Sequence, residues 1–138
     1  VRGRVEQLHE LPGRTGYGAA LATALAALPD PQDDEWVWLL HDDGAPAPDA
    51  LEALLSASAA DPDVDILGAK LREWPSLRRL LEVGVTIGPT GRRETGLERG
   101  EYDQGQHDRI RDVLAVNTAG MLLRRDVWEA LGPIGAAP

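Results

Sequence analysis

Five apolar residues, Trp36-Val37-Trp38-Leu39-Leu40, run unbroken between an acidic loop and His41-Asp42-Asp43-Gly44. The run is too short for a helix and suits a strand buried on both faces. On its upstream side, Ala19 to Leu28 is alanine-rich with Leu21, Leu25 and Leu28 at helical spacing, and Pro29 ends it. Downstream, Pro48 precedes a second helical stretch, Asp49 to Ala60, with Leu51, Leu54 and Leu55 as its apolar stripe. Asp61-Pro62-Asp63 stops that helix, and Val64 to Leu71 supplies a further strand. Val5 to Leu11 reads as a short edge strand, turned by Pro12-Gly13-Arg14-Thr15-Gly16. This alternation predicts an α/β fold, a mostly parallel sheet with right-handed crossovers and flanking helices.

Beyond Leu71 the regularity fades. Leu81 to Ile87 alternates as a strand does, and Gly88-Pro89-Thr90-Gly91 turns it back. Residues 92–111 are polar and glycine-containing, the composition of a functional loop. Val113 to Arg124 is apolar again, broken by Asn117-Thr118-Ala119-Gly120. Asp126 is the expected N-cap of a last helix, Val127 to Leu131, which Gly132-Pro133 ends.

The 138 residues fit one domain, and 43% apolar content supports a core. A net charge of −9 argues against a nucleic-acid binder, whose affinity comes from Lys and Arg neutralising phosphates. It leaves room for a nucleotide ligand, because a metal ion supplies positive charge locally. The absence of cysteine excludes disulfides and thiolate metal sites. No apolar run approaches the ~18 residues that span a bilayer, and Val1-Arg2-Gly3-Arg4 has no apolar segment of the secretory type. The chain reads as an excised piece of a longer polypeptide.

Adjacent carboxylates at the end of a buried strand oppose each other's ionisation, and desolvation adds to the conflict. Two readings of Asp42 and Asp43 follow. Either they cap the next helix from a solvated loop, or they hold a divalent cation that favours hard oxygen ligands and substrate phosphates. In an open α/β sheet, ligands bind outside the carboxyl ends of the strands, where His41-Asp42-Asp43 is placed. Gly16-Tyr17-Gly18 opens a helix, and free N–H groups at such a start favour an anion such as a diphosphate. A turn glycine serving only as helix entry is the plainer reading of that G-x-G.

Three segments taken together resemble the inverting family 2 glycosyltransferases of the GT-A fold: Gly13 to Leu21, Trp38 to Leu51, and Val116 to Trp128. Their similarity is closest to the actinobacterial branch of rhamnosyl- and galactofuranosyl-transferase-like enzymes. The resemblance implies a GT-A (Rossmann-like), mostly parallel sheet, truncated at both ends. Residues 1–138 would be a partial catalytic domain, without the first strands and the segment bearing the catalytic base. It implies metal-assisted transfer from a nucleotide-diphosphate sugar to a cell-envelope glycan or lipid-linked acceptor, with no nucleic acid involved. A cytoplasmic location is implied, either free or at the inner face of the cell membrane, any membrane contact being made by parts outside this segment.

Carried over by residue, the resemblance makes Asp43 the ligand of Mn²⁺ or Mg²⁺, with His41 as a further candidate where the family often has Asp. Asp42 would contact the ribose, or the metal through water. Arg14 and the backbone at Gly16 would lie near the nucleotide or diphosphate. Asn117, Thr118, Ala119 and Gly120 would line the sugar and acceptor side, with Gly120 admitting close backbone approach. No catalytic base is assigned within the chain, so the isolated 138 residues are expected to be inactive.

The rival reading is a non-catalytic or regulatory α/β ligand-binding domain with an acidic metal pocket, for which Lys70, the only lysine, would be the cationic partner. His9 and His107 read as solvated, and Trp36 and Trp38 as packing residues on one strand face. Trp74 reads as a loop anchor, and Arg92-Arg93 and Arg124-Arg125 as salt-bridge donors.

Overall fold

The computed structural model describes residues 7–132, and within it the chain divides into two compact units. One comprises Val1–Glu35 and Arg125–Pro138; the other is Trp36–Arg124.

The first unit holds two helices, α1 (Tyr17–Ala26) and α2 (Arg125–Leu131). α1 starts two residues before the expected Ala19 and ends two before Leu28, because Gly16 in extended conformation (φ −66°, ψ 155°) already serves as N-cap. Val5 and Glu6 lie outside the described residues, and Gln7 to Leu11 form no strand, with Leu8 left 60% exposed. The final helix begins at Arg125, so Asp126 sits in its first turn instead of at its N-cap. Gly132, at φ +76°, closes it by donating to the Trp128 carbonyl at 3.0 Å, while Pro133 lies outside the described residues. The unit's internal tie is Arg125, only 3% exposed. Its Nε donates to Glu129 Oε1 at 2.9 Å, its Nη2 reaches the carbonyls of Leu25 and Pro29, and its Nη1 faces Glu35 at 3.5 Å.

The second unit carries strands β1 (Trp36–Trp38), β2 (Ile66–Gly68), β3 (Leu71–Arg72), β4 (Leu80–Glu82), β5 (Thr86–Ile87), β6 (Arg93–Glu94) and β7 (Met121–Arg124), with helix α3 (Ala50–Ala60) between β1 and β2. The largest sheet has the order β1-β7-β2, and β3-β4 and β5-β6 form two-stranded ribbons. Every paired strand among the described residues runs antiparallel to its partner, which corrects the expected mostly parallel sheet. The β1–α3–β2 unit is nonetheless of the strand–helix–strand kind. Since both strands oppose β7, they run parallel to each other, with β7 inserted between them.

That insertion also explains the burial. β1 is only half-buried, and Leu40 is 44% exposed. The strand buried on both faces is β7, where Leu122 is 1% and Leu123 2% exposed. The Arg124 guanidinium lies over the Trp36 ring at 5.9 Å, so a packing role for this tryptophan holds. Gly68 makes the close fit of the stretch leading into β7 possible, since a Cβ there would fall 2.4 Å from the Val116 side chain.

The long expected strand from Val64 to Leu71 is divided, its end turning away as β3 to pair with β4. Likewise Leu81 to Ile87 is two strands, β4 and β5, separated at Gly84 with φ +99°. Gly88 to Gly91 turns the chain into β6 as expected. The polar stretch that follows is not free. Leu80 N–H donates to Glu101, and Asp103 N–H donates to Arg78, which lays residues 101–103 along β4. No helix among the described residues is long and apolar enough to cross a membrane.

Candidate functional site

His41, Asp42, Asp43 and Gly44 form a tight turn after β1, closed by Gly44 N–H donating to the His41 carbonyl at 3.1 Å. Asp42 and Asp43 occupy its two central positions and are exposed. They do not cap the next helix: α3 begins at Ala50, with Asp49 in the N-cap position. The turn instead faces a second one. Thr118–Gly120 form a single 3₁₀ turn leading into β7, and His41 Nε2 shares a hydrogen bond with Thr118 Oγ1 at 3.0 Å. A Cβ on Gly44 would come 3.9 Å from the Ala119 carbonyl, so the two backbones are close as well. Residues 77 positions apart in the chain thus meet at one edge of the sheet.

The Asn117 side chain organises the second turn, its Oδ1 accepting from Ala119 N–H at 2.9 Å. Gly120 is buried, and a Cβ there would sit 3.2 Å from that of Ala69. The close approach this glycine permits is therefore to the chain's own strand extension, where Ala69 N–H donates to its carbonyl at 3.3 Å.

Glu82 is a residue of this region that no local sequence signal singles out. In Leu81 to Ile87 the apolar residues alternate with polar ones, yet the structure exposes Leu81 at 58% and buries Glu82 at 7%. The inversion is compensated by partners distant in sequence. Glu82 Oε2 accepts from Arg93 Nη2 at 2.9 Å and from Asn117 Nδ2 at 3.4 Å, placing a buried carboxylate directly behind the second turn. The expected salt-bridge roles of Arg93, Arg124 and Arg125 hold, with Glu82, Asp65, and Glu35 and Glu129 as partners.

Arg14 and Gly16 belong to the other unit. Arg14 is an exposed residue of the turn closed by Thr15 N–H donating to Pro12 at 2.8 Å. A Cβ on Gly16 would meet no described atom within 4 Å. Lys70 gives the regulatory-domain reading no support. Its ammonium is engaged by Asp103 and Asp108, not by the acidic turn. Burial pulls the Lys70 pKa down, and the hydrogen bonds to the two carboxylates outweigh it, leaving it above the ordinary lysine value. The same bond holds Asp103 below the usual carboxylate range.

His107 is not solvated. Its Nε2 lies 3.0 Å from Glu101 Oε1, and its side chain is 13% exposed. Gln106, the Glu98 backbone N–H and His107 all bond the Glu101 carboxylate, which lowers its pKa to about 2. These residues border an open cavity of about 610 Å³ lined also by Arg99, Tyr102 and Gln104. A carboxylate whose folded pKa is depressed stabilises the fold above its unfolded pKa and loses that contribution as pH falls through the folded value. The gap in thermal midpoint between this chain and its Glu101→Gln variant is therefore expected at neutral pH, narrowing from pH 4.5 towards pH 2. A gap that stays constant over that window would contradict the assignment.

As metal ligands, Asp42 and Asp43 offer hard oxygen donors on one exposed turn. No group of three or more His, Asp or Glu side chains placed to hold a metal occurs among the described residues. Two carboxylates nevertheless fit a cation such as Mg²⁺, which keeps several waters and completes its shell with substrate phosphates. His41 fits less well, because its Nε2 is already turned to Thr118.

Residues 2–138 match the family model described as Glycosyltransferase like family 2. No curated protein and no solved structure gives a match. The match covers nearly the whole chain, and the chain belongs to this glycosyltransferase family 2-like group.

Proposed function

We propose that this member of the family supplies the donor side of a metal-assisted, inverting transfer from a nucleotide-diphosphate sugar to a cell-envelope glycan or lipid-linked acceptor. The observation that carries the reading is the junction of the Asp42-Asp43 turn with the Asn117–Gly120 turn through His41 and Thr118. It sets two exposed carboxylates beside a segment of ordered backbone polar groups, the combination a diphosphate and a sugar need. Asp43 would hold Mn²⁺ or Mg²⁺, and Asp42 would meet the ribose or the metal through water. The cation, when bound, supplies Lewis-acid stabilisation of the departing diphosphate. In the first unit by itself, Arg14 and the start of α1 at Gly16 offer a cation and helix N–H groups suited to an anionic ligand. Asn117, Thr118 and Ala119 would meet the sugar and acceptor, whereas Gly120 serves by packing on Ala69.

Thermal stability measured with UDP or dTDP, with and without Mn²⁺, tests the proposal. Ligand at 100 times its Kd adds about 2.7 kcal/mol to the native state, a midpoint shift on the order of 10 °C for a chain of this size. The expected result is a nucleotide shift that needs the metal and disappears in Asp43→Ala. A metal-independent response, or one that the variant keeps, would refute the role of Asp43.

A further inference from the structure

Glu82 carries a charge that the donor-site chemistry above does not use. It is 7% exposed on β4, and its Oε1 is buried without a hydrogen-bond partner. Oε2 alone takes the donors, Arg93 at 2.9 Å and Asn117 at 3.4 Å, and the Arg93 side chain is itself 65% exposed. A half-satisfied buried carboxylate is a poor device for stability, and an apolar residue of similar volume often does as well or better.

What the carboxylate does is fix an orientation. An asparagine amide presents a donor at one end and an acceptor at the other, whereas a carboxylate only accepts. Glu82 therefore draws the NH₂ end of Asn117 and leaves Oδ1 for Ala119 N–H at 2.9 Å. With the amide reversed, two acceptors would face each other at Glu82 and two donors at Ala119. The bond to Ala119 shapes the turn that presents the Thr118 hydroxyl to His41 at 3.0 Å. Polar contacts thus tie Arg93, Glu82 and Asn117 to one end of the turn and His41 to its Thr118 hydroxyl, the two sets joined through the backbone of residues 117–119.

We propose that Glu82 is a positioning residue that sets the amide of Asn117 and thereby the sugar-facing geometry of the donor site. The inference rests on the reading of residues 117–120 as the sugar side. Two measurements separate its failure from failure of that reading. Hydrogen exchange of the free chain compares Ala119 N–H with Leu39 N–H, which donates to Met121 within the main sheet and reports general stability. In Glu82→Leu, Ala119 is expected to exchange about tenfold faster relative to Leu39, the size of one lost hydrogen bond. Glu82→Gln keeps an acceptor for Asn117 and is expected to restore the wild-type ratio.

Titration calorimetry with Mn²⁺ then compares UDP with UDP-glucose and dTDP with dTDP-rhamnose, pairs that share base, ribose or deoxyribose and diphosphate and differ in the sugar that esterifies the terminal phosphate. Glu82→Leu is expected to weaken the preferred sugar nucleotide about tenfold while leaving its parent diphosphate unchanged, with Glu82→Gln close to wild type. Should Glu82→Leu fail to fold, Glu82→Ala enters the same two measurements. An unchanged Ala119-to-Leu39 ratio overturns the inference, and so does an equal loss of affinity for sugar nucleotide and diphosphate. A wild-type chain that binds none of the four ligands overturns the functional reading and the donor-site role with it, whatever the exchange ratio shows.

Discussion

Leu122→Ala is expected to lower the stability of this chain by about 3 kcal/mol, within the ~2–5 kcal/mol seen for truncating a buried leucine. Leu122 is the most deeply buried side chain among the described residues, at 1% exposure, and stands on the central strand of the main sheet. Trp38 on β1 and Leu67 on β2 are its register partners, so the cavity would open where both outer strands are held. Domains of this size have ~5–15 kcal/mol in total, and the loss would be a large fraction of that. Chemical denaturation gives the number through the shift in midpoint at constant slope. A loss below about 1 kcal/mol would mean that the sheet closes over the gap, and that β7 is not its organising strand.

The second large effect is expected at Arg125. Removing its guanidinium in Arg125→Ala deprives the carbonyls of Leu25 and Pro29 of donors and leaves Glu35 and Glu129 without their cation. Breaking a buried ion pair costs ~3–5 kcal/mol when the partner stays buried. Here Glu35 and Glu129 are 32% and 50% exposed and can rehydrate, so about 3 kcal/mol is expected. Arg125→Lys should recover only part of this, because an ammonium cannot serve two carbonyls and two carboxylates from one planar fork. Equal stability of the Lys and wild-type chains would show that charge alone matters at this position.

Elements whose signals are local were legible in the sequence. Alanine-rich helices bounded by Pro29 and Asp61-Pro62 appear close to their expected limits, and so do the turns at Pro12 to Gly16 and Gly88 to Gly91. The acidic turn after β1 was legible for the same reason, since an apolar run followed by Asp-Asp-Gly marks a strand end. Sheet direction was not. β7 joins β1 from more than 80 residues away, and nothing in the five apolar residues of Trp36 to Leu40 says that the neighbouring strand arrives from the opposite end. Glu82 was hidden by its own neighbourhood. Leu81 and Val83 flank it as an apolar face would, yet the buried face is that of Leu80 and Glu82, where Arg93 and Asn117 satisfy the carboxylate. Arg125 was visible as a salt-bridge donor, but its near-complete burial depends on carbonyls about 100 residues away.

For the donor site, the family match gives the class of chemistry, and Asp42-Asp43 gives the place where it is proposed to happen. The direct measurement is the signal of free Mn²⁺ in an electron paramagnetic resonance titration with UDP or dTDP present. The wild-type chain is expected to remove about one Mn²⁺ per molecule beyond what the nucleotide alone binds, and Asp43→Ala none. Free Mn²⁺ unaffected by the wild-type chain, or depleted equally by the variant, would contradict it.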